Sequence, residues 1–485
     1  MKGLVIVALV LAPTPAFTQD TLKADWKAAT KELKTTATLQ VVVNAQLRRG
    51  SAIHDQAFDA LRKLECNYVR FCPWFPYPRL GVAELDAPTA LKTSWDFSLL
   101  DPLVEDFVKA TNGRPVVMTF STTPQWMWKS DWYSGAPANP DTEEWAYNAG
   151  TELKDPSGRQ LGEYFRRVFQ WYTQGGFTDE NGKKFFSSHY YKFPYWEVLN
   201  EPEVEHYINP TLYNTIYDAT ALEIKRVSPQ MKFVGASLMR IKESTPDFME
   251  TFLDPKKHLS GVPLDYVSYH AYVWINQKRG VEAEQYSSFE QARQFVEQFY
   301  FIDAIRKRLS PTTKTMINEV GTIRHEDAQS GDIAPWYWSL SAGVFAYLYS
   351  ELADMGADVI GESQLVGYPN QFPCVTMIDW KSGEPNLRYW VLKLIKDHLQ
   401  PGGKISSWSA GSDTQGDYYA RAYTDSKGAK KMLLVNMRNK PLQLVLPGSR
   451  SMDFIDGHVS GIQKKEILKS EIHLDPFGVA IILVQ

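Results

Sequence analysis

The 485-residue chain reads as an α/β protein, a (β/α)8 TIM barrel followed by a C-terminal all-β sandwich. Three observations predict this. From about residue 38, short β-branched or aromatic segments alternate with stretches whose apolar residues recur at helical spacing. Several of the short segments are nearly continuous apolar runs, as expected for parallel strands buried on both faces. Near Leu399 the pattern changes to short alternating runs separated by turns, with little that reads as helix.

The strand candidates, in order, are Thr38–Leu47, Asn67–Trp74, Pro115–Ser121, Tyr195–Asn200, Lys232–Ala236, Leu264–His270, Lys314–Val320 and Ala357–Glu362. Between them His54–Leu64 carries Ala57, Leu61 and Leu64 on one face, and Ser98–Ala110 carries Leu99, Leu103 and Phe107. Further helices are expected at Glu152–Tyr172, Leu212–Val227, Ser288–Leu309 and Ala334–Leu352. The rival architecture, an open doubly wound sheet, calls for a Gly-rich G-x-G-x-x-G turn after an early strand, and no such turn occurs. Gln400–Lys404 (QPGGK) marks a boundary, beyond which Tyr418–Tyr423, Lys431–Asn436, Leu442–Leu446, Glu471–Leu474 and Gly478–Val484 read as strands. The expected organisation is a barrel over 38–400 and a β domain over 401–485, with residues 20–37 joining the latter.

Residues 1–19 resemble a secretory signal peptide: Lys2, an apolar run from Gly3 to Ala12, then small and turn-forming residues. The apolar run is too short to span a bilayer as a helix, so a secreted or periplasmic protein is expected, with no membrane association once the leader is removed. The three cysteines allow one bridge at most. Cys66 and Cys72, expected on one strand and about 20 Å apart if extended, cannot supply it. A net charge of −4 gives no reason to expect a nucleic-acid partner. Aromatic residues reach 13%, which suits a carbohydrate partner as well as a large core.

Two carboxylates stand out by position. Glu201 follows strand four in Pro194–Glu203 (PYWEVLNEPE), and Glu319 closes strand seven in Lys314–Thr322 (KTMINEVGT). They are 118 residues apart, the span of three βα units, and both fall at the C-terminal mouth where barrel enzymes place their chemistry. Two carboxyls converging across that mouth suit glycoside hydrolysis, one protonating the leaving oxygen and one attacking the anomeric carbon.

Leu199–Pro202 (LNEP) together with a Glu on strand seven resembles the retaining glycoside hydrolases of clan A. Tyr68–Phe71 (YVRF), Asp96–Phe107 followed by RPVVMTFS, and Tyr269–Tyr272 (YHAY) are similar to family 39, the β-xylosidase and α-L-iduronidase group. The segment from Ala357 onward resembles the end of family 79, the heparanase and β-glucuronidase group. Two departures are visible: strand seven reads Asn-Glu-Val, and strand eight lacks the Trp that many clan members place under the sugar. The resemblance implies Glu201 as acid/base and Glu319 as nucleophile, about 5–5.5 Å apart for retention. It also implies Arg70 as the cation aligning Glu319, Asn200 as a donor to the sugar 2-hydroxyl, and His270 and Tyr272 as partners of the nucleophile or a sugar hydroxyl. Trp74, Trp126 and Gln364 are the expected substrate contacts from the loops, with Phe75, Trp128 and Trp132 as further aromatic candidates, and Glu362 is expected to be structural. His325–Asp327 is read as a polar loop rather than a metal cluster, and the chemistry requires neither metal nor organic cofactor. A xyloside or uronide is the family-level substrate expectation. The alternatives are a non-catalytic sugar-binding barrel, a glycan scaffold acting through the β module, and a transglycosylase.

Overall fold

The structure, a computed structural model, describes residues 20–147, 150–239, 247–325, 332–368, 372–410, 416–457 and 460–485. The leader at 1–19, and the HED motif beyond His325, lie outside the described residues. Eight parallel strands close into a barrel: β1 (Thr36–Val43), β2 (Val69–Pro73), β3 (Val116–Thr119), β4 (Tyr195–Glu197), β5 (Lys232–Leu238), β6 (Tyr266–Ile275), β7 (Lys314–Arg324) and β8 (Val359–Glu362). All eight coincide with the strands expected from sequence, because burial on both faces gives parallel strands an unbroken apolar signature.

The edges differ where local geometry overrides composition. The first strand stops at Val43, and Asn44 caps a 3-10 turn at Ala45–Leu47 through its side chain. The third helix begins at Arg159 rather than Glu152, since Glu152–Leu153 pairs with Trp128–Lys129 and Gly158 takes a left-handed backbone. Strands β6 and β7 run on past His270 and Val320, keeping their mutual register to Ile275 and Arg324. An additional helix spans Leu387–His398.

The barrel interior is layered. Val117, Tyr195, Val234, Tyr266, Met316 and Val359 form an apolar plug. Toward the C-terminal mouth the side chains become polar, centred on the fully buried Glu197. That carboxylate accepts from Arg70 Nε (2.5 Å), Thr119 Oγ1 (2.8 Å), Ser268 Oγ (2.7 Å) and Asn318 Nδ2 (2.6 Å). A buried carboxylate is tolerated when its oxygens are paired in this way.

Apart from two short two-stranded pairs, the remaining strands form an antiparallel seven-stranded sheet and a three-stranded sheet, which enclose a core including Leu22, Met432, Leu444, Ile472 and Ile482. Lys31–Leu33 pairs with the strand Gly403–Ala410 in the larger sheet, and Asp20–Thr21 pairs with Leu442–Val445 in the smaller one. Three strands lacked a clear sequence signal. Gly403–Ala410 and Ser449–Ile455 are rich in small polar residues, and Gln463–Glu466 is an exposed edge with no apolar residue. Cys66, Cys72 and Cys374 are all buried, and no disulfide joins them.

Candidate active site

The mouth of the barrel holds a cavity of about 340 Å³. Asn200, Glu201 and Glu205 from the end of β4, Tyr272 from β6, Glu319 from β7 and Gln364 after β8 line it. Backbone irregularities bring these groups together. Leu199 (φ 61°) and Glu201 (φ 42°) adopt left-handed backbone, which turns the chain sharply from β4 into the short helix Pro202–Glu205. A register shift between Tyr269 and His270 sets His270 opposite Glu319 on the neighbouring strand.

One oxygen of Glu201, one of Glu319 and a ring nitrogen of His270 all lie within 4.8 Å of one another. Glu319 Oε1 accepts from Arg70 Nη1 (2.7 Å) and Oε2 from the Tyr272 hydroxyl (2.7 Å). The Tyr272 oxygen also lies 2.6 Å from Ser363 Oγ, which in turn accepts from Gln40 Nε2 (2.8 Å). The Gln40 carbonyl accepts from Arg70 Nη1 (2.6 Å), closing a ring of hydrogen bonds around Glu319. Burial opposes the charge on Arg70, but Glu197 and Glu319 outweigh it and hold the guanidinium well above its ordinary range. Arg70 Nη2 further donates to Asn200 Oδ1 (2.7 Å) and Ser237 Oγ (3.1 Å), so that Nε and both terminal nitrogens are engaged.

Glu201 has a different partner. His270 Nδ1 lies 2.7 Å from Glu201 Oε1, and its Nε2 lies 3.0 Å from Ser237 Oγ. Burial pushes the imidazole down to about 4, so the ring is neutral at neutral pH. With its proton on Nδ1 it donates to Glu201, while Nε2 accepts from Ser237. The Glu201–His270–Glu319 spacing would admit a cation, but the Arg70 guanidinium already supplies positive charge against Glu319.

Trp74 lines the cavity, with its ring parallel to Phe372 at 5.8 Å. The buried side-chain oxygen of Gln364, Oε1, has no protein partner there. Trp126 does not reach the cavity. Its indole donates to the Glu84 backbone carbonyl (3.0 Å) and borders a separate surface depression with Arg79, Tyr133 and Tyr147. Trp145 lines the cavity instead, edge-on to both Trp74 and Phe75. Trp128 is buried against His206, and Trp132 is exposed. Glu362 pairs with Arg388 Nε (3.1 Å) in a fully buried contact behind β8.

Sequence reasoning passed over Gln40, Glu197, Glu205, Ser237 and Ser363. The Glu205 carboxyl had a legible signal, lying one helical turn beyond Glu201, and its amide donates to the Glu201 carbonyl (2.8 Å).

Residues 183–320, which include Glu201, His270, Tyr272 and Glu319, match the family model for glycosyl hydrolases family 39. No curated protein matches the chain in sequence. Solved structures of similar fold include a family 39 β-xylosidase from Caulobacter crescentus (14% identity, TM-score 0.57, covering 96% of this chain and 99% of that one). A family 51 α-L-arabinofuranosidase from Bifidobacterium longum is similar at 13% identity and TM-score 0.63, covering 97% and 100%. A conserved exported protein from Bacteroides fragilis is similar at 11% identity and TM-score 0.60, covering 95% and 99%. At such identities the structural likeness is one of fold. Over residues 183–320 the chain is therefore similar to the glycosyl hydrolases of family 39, and beyond them the likeness is that of a shared barrel fold. Among the described residues no helix is long and apolar enough to cross a membrane.

Proposed function

We propose that the protein is an exported glycosidase acting by double displacement, with Glu319 as nucleophile and Glu201 as acid/base. The observation carrying this reading is the convergence of the two carboxyls within 4.8 Å over one cavity, each with a different partner. Two carboxylates this close repel if both are ionised. The guanidinium lies on Glu319 and the nearest imidazole contact on Glu201, which suits Glu319 to the nucleophile, a role that needs an anion, and Glu201 to the acid, a role that needs a proton.

In the first step Glu201 gives that proton to the glycosidic oxygen while Glu319 attacks the anomeric carbon, forming a glycosyl ester and releasing the aglycone. In the second step Glu201 takes a proton from water, which attacks the same carbon and frees Glu319. Arg70 and the Tyr272 hydroxyl hold Glu319 aligned through both steps, and Asn200 presents its amide to the sugar hydroxyl beside the anomeric carbon.

The cavity wall, among the described residues, contains no Lys or Arg but a third carboxyl, Glu205. A xyloside and a uronide are the family-level substrates that the test distinguishes. Export rests on the leader-like residues 1–19 and agrees with the exported protein among the fold neighbours. The test is a panel of aryl glycosides. Glu319→Ala is expected to abolish turnover, with azide restoring it as a glycosyl azide of inverted configuration. Glu201→Ala is expected to retain the first step on substrates with good leaving groups. Normal turnover by both variants contradicts the assignment.

A further inference from the structure

Glu205 is buried in the cavity wall, and the reaction as written gives it no task. Its Oε1 accepts from Asn200 Nδ2 (2.9 Å), while its Oε2 has no protein partner. The other end of the same Asn200 amide is fixed as well, with Oδ1 accepting from Arg70 Nη2 (2.7 Å). One amide N–H of Asn200 is therefore committed to Glu205, and the second remains on a residue that lines the cavity beside Glu201 and Glu319.

Resting on the glycosidase reading, we propose that Glu205 is a positioning residue: it locks the Asn200 amide so that its second N–H faces the sugar 2-hydroxyl. A free Asn side chain can exchange its carbonyl and amino ends or rotate away, and a donor must be pre-aimed to favour the transition state over bound substrate. The carboxyl suits this place in the wall. Burial, with Glu201 and Glu319 adding to it, holds Glu205 well above the usual carboxylate range, so it adds no third negative charge beside the nucleophile.

The test compares wild type, Glu205→Gln and Glu205→Ala on an aryl glycoside and on its 2-deoxy counterpart, with the thermal melt of each variant recorded. Glu205→Ala is expected to lose roughly tenfold or more in kcat/KM on the 2-hydroxy substrate, the scale of one well-placed hydrogen bond in a closed site, and about twofold or less on the 2-deoxy substrate. The Glu205→Gln variant keeps an acceptor for Asn200 at equal volume and is expected to stay within about threefold of wild type on both. An equal loss on both substrates, or a Glu205→Gln variant as impaired as Glu205→Ala, overturns the proposal. Failure of the wild type to turn over any glycoside is a different result and removes the glycosidase reading itself.

Discussion

Two buried arginine clusters invite comparison, one at the barrel mouth and one at the seam between barrel and sandwich. At the mouth Arg70 contacts Glu197, Glu319, Gln40, Asn200 and Ser237. At the seam Arg421 donates to Glu351 Oε1 (2.5 Å), the Tyr419 hydroxyl (2.6 Å) and the Ser406 carbonyl (2.8 Å), and it pairs with Asp354 (2.9 Å). Both guanidiniums are almost fully buried, and in both burial is outweighed by neighbouring groups that hold the charge. Their surroundings differ. Glu319 lines a cavity and stands opposite another carboxyl, whereas Glu351 and Asp354 tie the helix Pro335–Met355 to the strand Tyr418–Thr424. A buried ion pair is therefore no mark of function by itself. Access to a cavity and a second, differently partnered carboxyl are what distinguish the mouth.

Removing each arginine tests that distinction. Arg70→Met is expected to cut kcat/KM by about 10³-fold or more, since it leaves Glu197 uncompensated and Glu319 without its aligning donor. Arg421→Met is expected to destabilise the fold by about 3–5 kcal/mol in denaturant titration. Its kcat/KM, measured on the folded fraction, should stay within about twofold of wild type. Strong loss of catalysis in folded Arg421→Met protein would erase the contrast between the clusters.

A smaller effect concerns pH. Burial pushes His206, stacked on Trp128 at 4.1 Å, down to about 4 from its ordinary 6.5. The unfolded chain then binds the proton more readily, so the stability this group contributes is full above 6.5 and is lost as pH falls toward 4. Thermal melts across that window should show His206→Asn, although less stable at neutral pH, losing less on acidification than wild type. An identical acid slope in the two proteins removes His206 from the account.

Much of this was legible in the sequence because parallel barrel strands are buried on both faces and announce themselves as apolar runs. Glu201 and Glu319 were legible because they fall at or next to the ends of the runs read from sequence, which fixes an address at the mouth, whereas Arg70, the second residue of β2, was legible through the resemblance of Tyr68–Phe71. The tryptophans after β3 were not separable by type. Trp126 turns to the Glu84 carbonyl and Trp145 to the cavity, a choice made by the path of a long loop. Ser237 was silent because a left-handed backbone accompanies its placement and leaves no compositional trace, and Ser363 because a lone serine after a strand end carries no signal until Gln40 and Tyr272 are placed beside it. Gln40 was silent for another reason: on the first strand it reads as an ordinary interior residue until its partner Arg70 is placed beside it.

The most direct measurement is covalent trapping. A 2-deoxy-2-fluoro glycoside with an activated leaving group slows both steps, but its good leaving group lets the glycosyl-enzyme accumulate. After incubation with the 2-fluoro form of the best aryl substrate, peptide mass mapping should find one fluoroglycosyl ester, on Glu319. A label on Glu201 or Glu205, or turnover of the parent glycoside with inverted configuration and no trapped ester, would contradict the account.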